Sequence, residues 1–533
     1  MTAATNAIKL PAAPQVPAAP AQSGFDKRKL AAFIAMVFGM FMAILDIQIV
    51  SASLSEIKAG LSASSDEVAW VQTSYLIAEV VMIPLSGYLS RVFSTRYTFV
   101  ISAAGFTLMS FMCAQASSIS EMIVWRALQG FIGGGMIPTV FASAFIIFPR
   151  DKQPIIGPII GLVATLAPTI GPTVGGILTE AYSWHWLFYV NIIPGILVTV
   201  VCWNLIDFDQ PDLSLLKNFD WVGLISMAVF LGALEYTLEE GPNNDWLQDD
   251  YIFYAAMASA IGCVVFFARV LSARQPIVDL SAFFDRNFWT GSLFSFILGI
   301  GLYGLTYIYP VYLAEVRGYS ARMIGETMFV TGVCMFVSAP IVGRLMTVLD
   351  PRVMIAVGFS GFAFGVYWAS FITKDWDFYE LLVPQIFRGC SLMLCMVPIN
   401  NLALGTLPPQ RLKNASGLFN LTRNLGGAVG LALINTLIND RTDLHLARLH
   451  ESVAWGHQQA EETLANMTAN FASFGSSAEA MATKQLALLV RQQATVMALA
   501  DVFLALTALF AALVIVTPFM RRPQNAGGGG GGH

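Results

Sequence analysis

Eight ionisable side chains stand inside long apolar stretches of this 533-residue chain: Asp46, Glu79, Arg126, Glu235, Glu326, Arg388, Arg423 and Asp501. A charge at the centre of a bilayer costs roughly 2.5–3.5 kcal/mol on insertion scales, so each is a candidate for function. The chemistry open to them is proton exchange. An opposite charge lowers a carboxyl pKa and burial raises it, so a carboxyl moving between the two settings binds and releases a proton. Asp46 lies sixteen residues beyond Leu30, ~24 Å at 1.5 Å per residue, in the outer third of a ~30 Å core. Arg126, five residues past Glu121 on an inward-running span, is ~8 Å from the outer edge. The two share a level, and Asp46 can face the gap between the two halves of the molecule. Glu79, eleven residues past Val68, lies near mid-membrane with no evident partner. The plainer readings are a structural ion pair for Asp46 with Arg126 and a protonated, hydrogen-bonded carboxyl for Glu79. Glu235, Glu326 and Asp501 are near enough to span ends to snorkel to water. Arg388 and Arg423 suit packing between halves of the molecule.

A second stretch bears on movement rather than charge. Ala164 to Leu178 reads A-T-L-A-P-T-I-G-P-T-V-G-G-I-L. Ala167, Gly171 and Gly175 recur every four residues and fall on one helix face, with Gly176 beside them. Such a face lets another helix backbone come close. Pro168 and Pro172 each remove a donor and bend the helix. Ordinary small-residue packing explains the glycines alone; with the prolines, the stretch suits an interface that rocks between two states.

The elements that must hold these residues follow from composition. The chain is 56% hydrophobic and 12% charged, about half the usual ~25% charge, with mean hydropathy +0.65. Its apolar blocks reach the ~17–25 residues needed to cross a bilayer. We expect an all-α integral membrane protein with fourteen transmembrane helices, near 30–50, 68–89, 97–117, 122–147, 155–178, 185–206, 221–238, 251–271, 290–313, 323–348, 353–372, 380–403, 413–438 and 494–519. Loop charge orients it. With the amino terminus inside, eighteen of the 29 basic residues fall on inside loops and tails, and the short outside loops carry only Lys58, Arg317, Arg322 and Lys374. Both termini are then cytoplasmic. The six cysteines lie in apolar runs without CxxC spacing, which supports neither a disulfide framework nor a zinc site. No GxxxxGK[ST] motif is present, which argues against an ATP-driven pump. No metal or cofactor is expected; the energy source would be a proton gradient.

An internal repeat sets the architecture. Pro84 to Arg96 matches Pro340 to Arg352 at an offset of 256, and Ile170 to Gly175 matches Leu425 to Gly430 at 255. Both copies run the same way, so the halves are parallel repeats about an axis along the membrane normal, with the substrate site between them. The expected organisation is a disordered cytoplasmic tail (1–25), an N-terminal six-helix bundle (26–206), two additional helices (207–275) and a C-terminal six-helix bundle (276–520). The last includes a long periplasmic loop (439–493), and 521–533 form a cytoplasmic tail ending in an appended glycine run. That loop carries helix-forming runs and suits either a docking role or a solvated spacer.

Five motifs give the chain a family resemblance. Leu45-Asp46, the loop Gly87-Tyr-Leu-Ser-Arg91-Val-Phe-Ser-Thr-Arg96, the run Arg126-Ala-Leu-Gln129-Gly130, Gly171-Pro172 with Gly175-Gly176, and Trp184 to Pro194 resemble those of the major facilitator superfamily. Within it, the chain is similar to the fourteen-span drug:proton antiporters of the EmrB type. Ser90 stands where many members have Asp, His185 where Arg is usual, and Ala167 where the first glycine of the antiporter motif is usual. The resemblance implies proton-coupled export of amphipathic toxic compounds across the bacterial inner membrane, by alternating access. Proton coupling would fall to Asp46, Glu79 and Arg126. Glu235, Glu326, Arg388, Arg423 and Asp501 are secondary coupling or substrate candidates. Gly87, Arg91, Arg96, Gln129, Gly130, Pro168, Gly171, Pro172, Gly175 and Gly176 would serve the conformational change. Implied partners are small-molecule substrates, the lipid bilayer, a periplasmic membrane-fusion adaptor (EmrA type) on loop 439–493 and an outer-membrane channel (TolC type). An exporter of one endogenous product, such as a fatty acid or siderophore, is the alternative. A non-transporting receptor or assembly factor is a second.

Overall fold

The computed structural model describes residues 27–51, 53–149, 153–273, 275–452 and 458–519; the two tails expected from sequence lie outside them. The described residues form helices and no strand. Thirteen helices or helical runs are long and apolar enough to cross a membrane. One of them, Ser65–Ala114, breaks at Ser94, whose φ of 73° and ψ of 160° are not helical. Divided there, it supplies two of the fourteen expected spans. In chain order these are α1 (Lys27–Ser51), α2 (65–93), α3 (95–114), α4 (Ile119–Ile147), α5 (Gln153–Ala181), α6 (Trp186–Leu205), α7 (Trp221–Glu240), α8 (Asp250–Ser272), α9 (Arg286–Val311), α10 (Ala321–Leu345), α11 (Pro351–Ala369), α12 (Phe378–Leu404), α13 (Pro409–Ser452) and α14 (Ala478–Val516). Side chains cap the starts: Ser64 accepts from Glu67 N–H in a reciprocal capping box, and Asp249, Asp285 and Asp350 cap α8, α9 and α11. Each cap satisfies a donor that lipid would leave bare.

The sequence repeat is a repeat of packing. In the N-terminal half α5 lies on α1, where a Cβ added at Gly171 would fall 2.3 Å from Gln48 Cβ and one at Gly175 would fall 2.7 Å from the Ile49 carbonyl oxygen. In the C-terminal half α13 lies on α9 in the same way, with Gly426 against the Phe296 carbonyl oxygen and Gly430 against Ile300 Cα, at 1.9 and 2.8 Å. Only residues without a Cβ permit backbones this close.

The extra helices form a hairpin. Phe230 and Phe266 stack, Ser259 Oγ donates to the Phe230 carbonyl at 3.0 Å, and Gly262 abuts the Phe230 backbone. Asp220 and Arg269 pair at 2.7 Å at its base. α7 takes the inner position against both halves. It meets α2 through the Trp70–Tyr236 stack and Thr73–Glu240, while the turn after it meets α13 through Trp246–Thr436 and Asn439–Pro242. α8 shows Tyr254, Ile261, Val264 and Leu271 outward, as a lipid-facing helix should.

The stretch 439–493 is more ordered than a loop. α13 continues to Ser452, a helix runs Gln458–Asn470, and α14 starts at Ala478. Gln492 donates to the Val316 carbonyl, tying α14 to the end of α9. The helix-forming runs seen in sequence thus extend the flanking spans.

Candidate functional site

Five helices converge on Asp46. Arg126 Nη1 from α4 donates to Asp46 Oδ2 at 2.6 Å and to Gln129 Oε1 at 2.8 Å, while its Nε donates to the Val71 carbonyl on α2 at 3.2 Å. Asn191 Nδ2, at the turn within α6, donates to Asp46 Oδ1 at 2.6 Å and to Ser110 Oγ on α3 at 3.1 Å. The guanidinium sits 4.2 Å from the centroid of the Tyr75 ring. Asp46 and Arg126 are both 0% exposed. Removing two charges from water costs several kcal/mol per ion, and short bonds with extra donors and acceptors are what offset it. The expected pair forms. Its orientation differs from expectation: every hydrogen-bond partner of Asp46 belongs to the N-terminal half, so the carboxylate points into that bundle and not into the gap between halves.

Glu79 belongs to the same site. Gly130 and Gly134 follow Arg126 at spacings of four and eight on α4, and a Cβ at either would strike α2, at the Tyr75 carbonyl (2.3 Å) and at Glu79 (3.1 Å). The glycines therefore press one face of α4 against the face of α2 that carries Tyr75 and Glu79. Glu79 is buried, makes no hydrogen bond, and lies within reach of the charges on Arg126 and Asp46. Arg126 Nη2 is buried without an acceptor, and the Tyr75 hydroxyl without a partner. The spare donor of Arg126 and the carboxyl of Glu79 thus stand at one contact between α2 and α4.

The other candidates separate. Glu235 is buried on α7, with the charges of Glu239 and Glu79 acting on it, and is no snorkelling group. Glu326 is: it pairs with Arg322 one turn away at 3.0 Å with both side chains exposed. Asp501 accepts from His445 at 2.9 Å and faces Arg441 at 3.7 Å, both on the outer part of α13. Arg388 Nη2 donates to Thr306 Oγ1 at 2.5 Å within the C-terminal half, with Nε and Nη1 unpartnered. Arg423 donates to Asn420 and lies over the Phe141 ring of α4 at 5.1 Å, so it alone of the two spans the halves.

The residues expected to serve the conformational change divide likewise. Gly171 and Gly175 pack α5 on α1 inside one half, whereas the contact across halves uses another face of α5, where Thr173 meets Gly325 and Leu166 meets Gly332. At the basic face, inner by loop charge, Arg96 Nε donates to the Trp203 carbonyl at 2.8 Å and Arg91 lies over Tyr88. Gly87 lets α2 touch the α13 backbone, where a Cβ would fall 2.7 Å from the Lys413 carbonyl oxygen. Ser90 Oγ donates back to the Ser86 carbonyl at 2.8 Å, and Lys413 donates to Ser90 O and to Asp209. In the sequence Asn191 stands only within the motif Trp184 to Pro194. Asp209 and Lys413 carry no signal of site chemistry there, because only a charge inside lipid costs enough to stand out.

Comparison with known proteins agrees with this architecture. The model of the Major Facilitator Superfamily matches residues 36–431. The chain is 42% identical over 496 residues to the colistin resistance protein EmrB of Acinetobacter baumannii, covering 93% of this chain and 97% of that protein. It is 28% identical to the fatty acid resistance protein FarB of Neisseria gonorrhoeae (93% and 97% covered) and 28% identical to the multidrug export protein EmrB of Escherichia coli K12 (94% and 96%). A crystal structure of the human organic anion transporter MFSD10 shares the fold, with a TM-score of 0.56 at 11% identity over 90% of this chain and 99% of that one. With a repeat of glycine packing in two half-bundles and a sequence that aligns along nearly its whole length with EmrB, the chain belongs to the major facilitator superfamily, in its EmrB-type branch.

Proposed function

We propose that this protein exports amphipathic toxic compounds from the bacterial cytoplasm across the inner membrane, driven by protons. The observation that carries the proton step is the buried cluster of Asp46, Arg126 and Glu79, with one cation, two carboxyl groups and an unused donor. Protonating Asp46 removes the negative charge opposite Arg126 across their 2.6 Å bond, and a buried guanidinium without a counter-charge is costly. Glu79, which interacts with the same guanidinium, offers a second carboxyl group. Arg126 thus passes between two acceptors as protons load and leave, and its movement biases α4 against α1 and α2. A coupling of this kind changes the relative stability of the two access states, which is all a proton has to do.

The relatives named for colistin resistance and multidrug export support a toxic, amphipathic substrate class. The fatty acid resistance relative keeps a narrower, endogenous-type substrate as the second reading. Both termini would face the cytoplasm, and the helices of 439–493 would meet a periplasmic adaptor leading to an outer-membrane channel. In proteoliposomes without nucleotide, an imposed pH gradient should drive dye out of the compartment corresponding to the cytoplasm. Efflux that ignores the gradient, or that needs ATP, overturns the proton step.

A further inference from the structure

We propose that Asp209 and Lys413 form the latch that holds the inner side of the transporter closed. Asp209 lies in the segment after α6, and three donors converge on its Oδ2: Thr95 N–H at 2.8 Å, the Thr95 hydroxyl at 2.7 Å, and the Lys413 ammonium. Thr95 is the first residue of α3 after the break at Ser94, so the carboxylate caps a helix N-terminus, where negative charge is favoured. Those bonds fix Asp209 to the N-terminal half. Lys413 belongs to the C-terminal half, and its ammonium also donates to Ser90 O at 2.8 Å. The two ion-pair side chains are only 13% and 14% exposed, so solvent screens them less than a surface pair.

The internal repeat shows what Asp209 replaces. Ser94 corresponds to Asp350 at the offset of 256. In the C-terminal half Asp350 caps α11 itself, accepting from Arg352 N–H at 3.0 Å. In the N-terminal half the corner residue is Ser94, and the carboxylate arrives from a distant segment, positioned where a cation of the other half can reach it. The segment is held in place: Asp212 N–H donates to the Arg91 carbonyl at 3.2 Å, and Tyr88 donates to the Leu215 carbonyl at 2.9 Å. Beneath the latch the backbones of α2 and α13 touch, at Gly87 with Lys413 and at Gly417 with Ile83. Parting the halves on this side must break both Lys413 bonds, while the Thr95 bonds survive.

The test reads a distance, so it stands or falls independently of what drives export. Spin labels go on Tyr97→Cys and Arg411→Cys, both exposed on the inner side in different halves, in full-length protein whose native cysteines are replaced. Asp209→Asn and Lys413→Met should each raise the ratio of long to short inter-label distances about tenfold. The double variant should do no more than either alone, because the two residues act as one pair. Lys413→Met leaves the cap on Thr95 intact, which separates the latch from any loss of folding in Asp209→Asn. Unchanged distances in Lys413→Met, or additive shifts in the double variant, overturn the proposal.

Discussion

Asp46→Asn keeps the size of the side chain and its bond from Asn191 while removing the charge opposite Arg126. We expect the variant to reach the membrane and to lose gradient-driven efflux. Its stability should fall, since an uncompensated buried charge costs ~3–5 kcal/mol, lessened where Arg126 turns to Glu79. Thermal melting and transport measured on one preparation separate the two effects; wild-type efflux in a stable variant would exclude Asp46 as the carrier. A second residue, outside the spans, should make stability depend on pH. The Tyr319 hydroxyl and the Phe378 N–H both donate to Asp377, the cap of α12, and together hold its carboxyl below the ordinary value. A depressed carboxyl stabilises the folded state above the unfolded pKa of ~3.9 and loses that contribution as pH falls through the folded value. Asp377→Asn should therefore lower the melting temperature at neutral pH, and the gap from wild type should narrow as the pH drops below about 4. A gap that is constant with pH would assign the effect to packing.

At the scale of a helix, α5 has two working faces. Leucine at Gly171 or Gly175 would drive α5 off α1, where the added Cβ alone lies 2.3 or 2.7 Å from its neighbour. Overpacking of this kind costs ~1–3 kcal/mol or more. Both variants should insert and lose transport, with normal efflux in both as the contrary result. Much of this element was legible in advance. The spacing of Ala167, Gly171 and Gly175 named the close face, and the match with Gly426 and Gly430 foretold that a second helix would pack alike. The partner was not legible, because spacing tells which residues share a face and nothing about what lies opposite. Charge in lipid likewise singled out Asp46, Arg126 and Glu79, since each costs too much to be incidental. Asn191 and Ser110 carry no such cost, so their place around Asp46 appears only in three dimensions. Glu235 sits on a helix whose tertiary neighbours decide whether it snorkels, and α2 buries it. The turn between α2 and α3 was expected as a loop of several residues, yet a single non-helical residue, Ser94, suffices.

For the molecule as a whole, the helices of 439–493 offer a clean separation of transport from assembly. Replacing residues 453–477 with a short Gly-Ser linker leaves every residue of the Asp46 site in place. If the extension meets the proposed adaptor, that variant should retain gradient-driven efflux in proteoliposomes and give no resistance in cells. Resistance equal to wild type would reduce the extension to a spacer. The hairpin of α7 and α8 bears on the motion itself. Its turn end is fastened to α2 by Thr73–Glu240 and to α13 by Trp246–Thr436 and Asn439–Pro242, so one strut crosses the seam between the halves. Two bodies strapped along one edge cannot separate evenly. They swing as a door does, least beside the strap and most at the far edge, so the outward mouth is lopsided. A bulky cargo would then leave by the unstrapped side, and the hairpin that looks like an ornament on a twelve-helix machine would set the direction in which that machine opens.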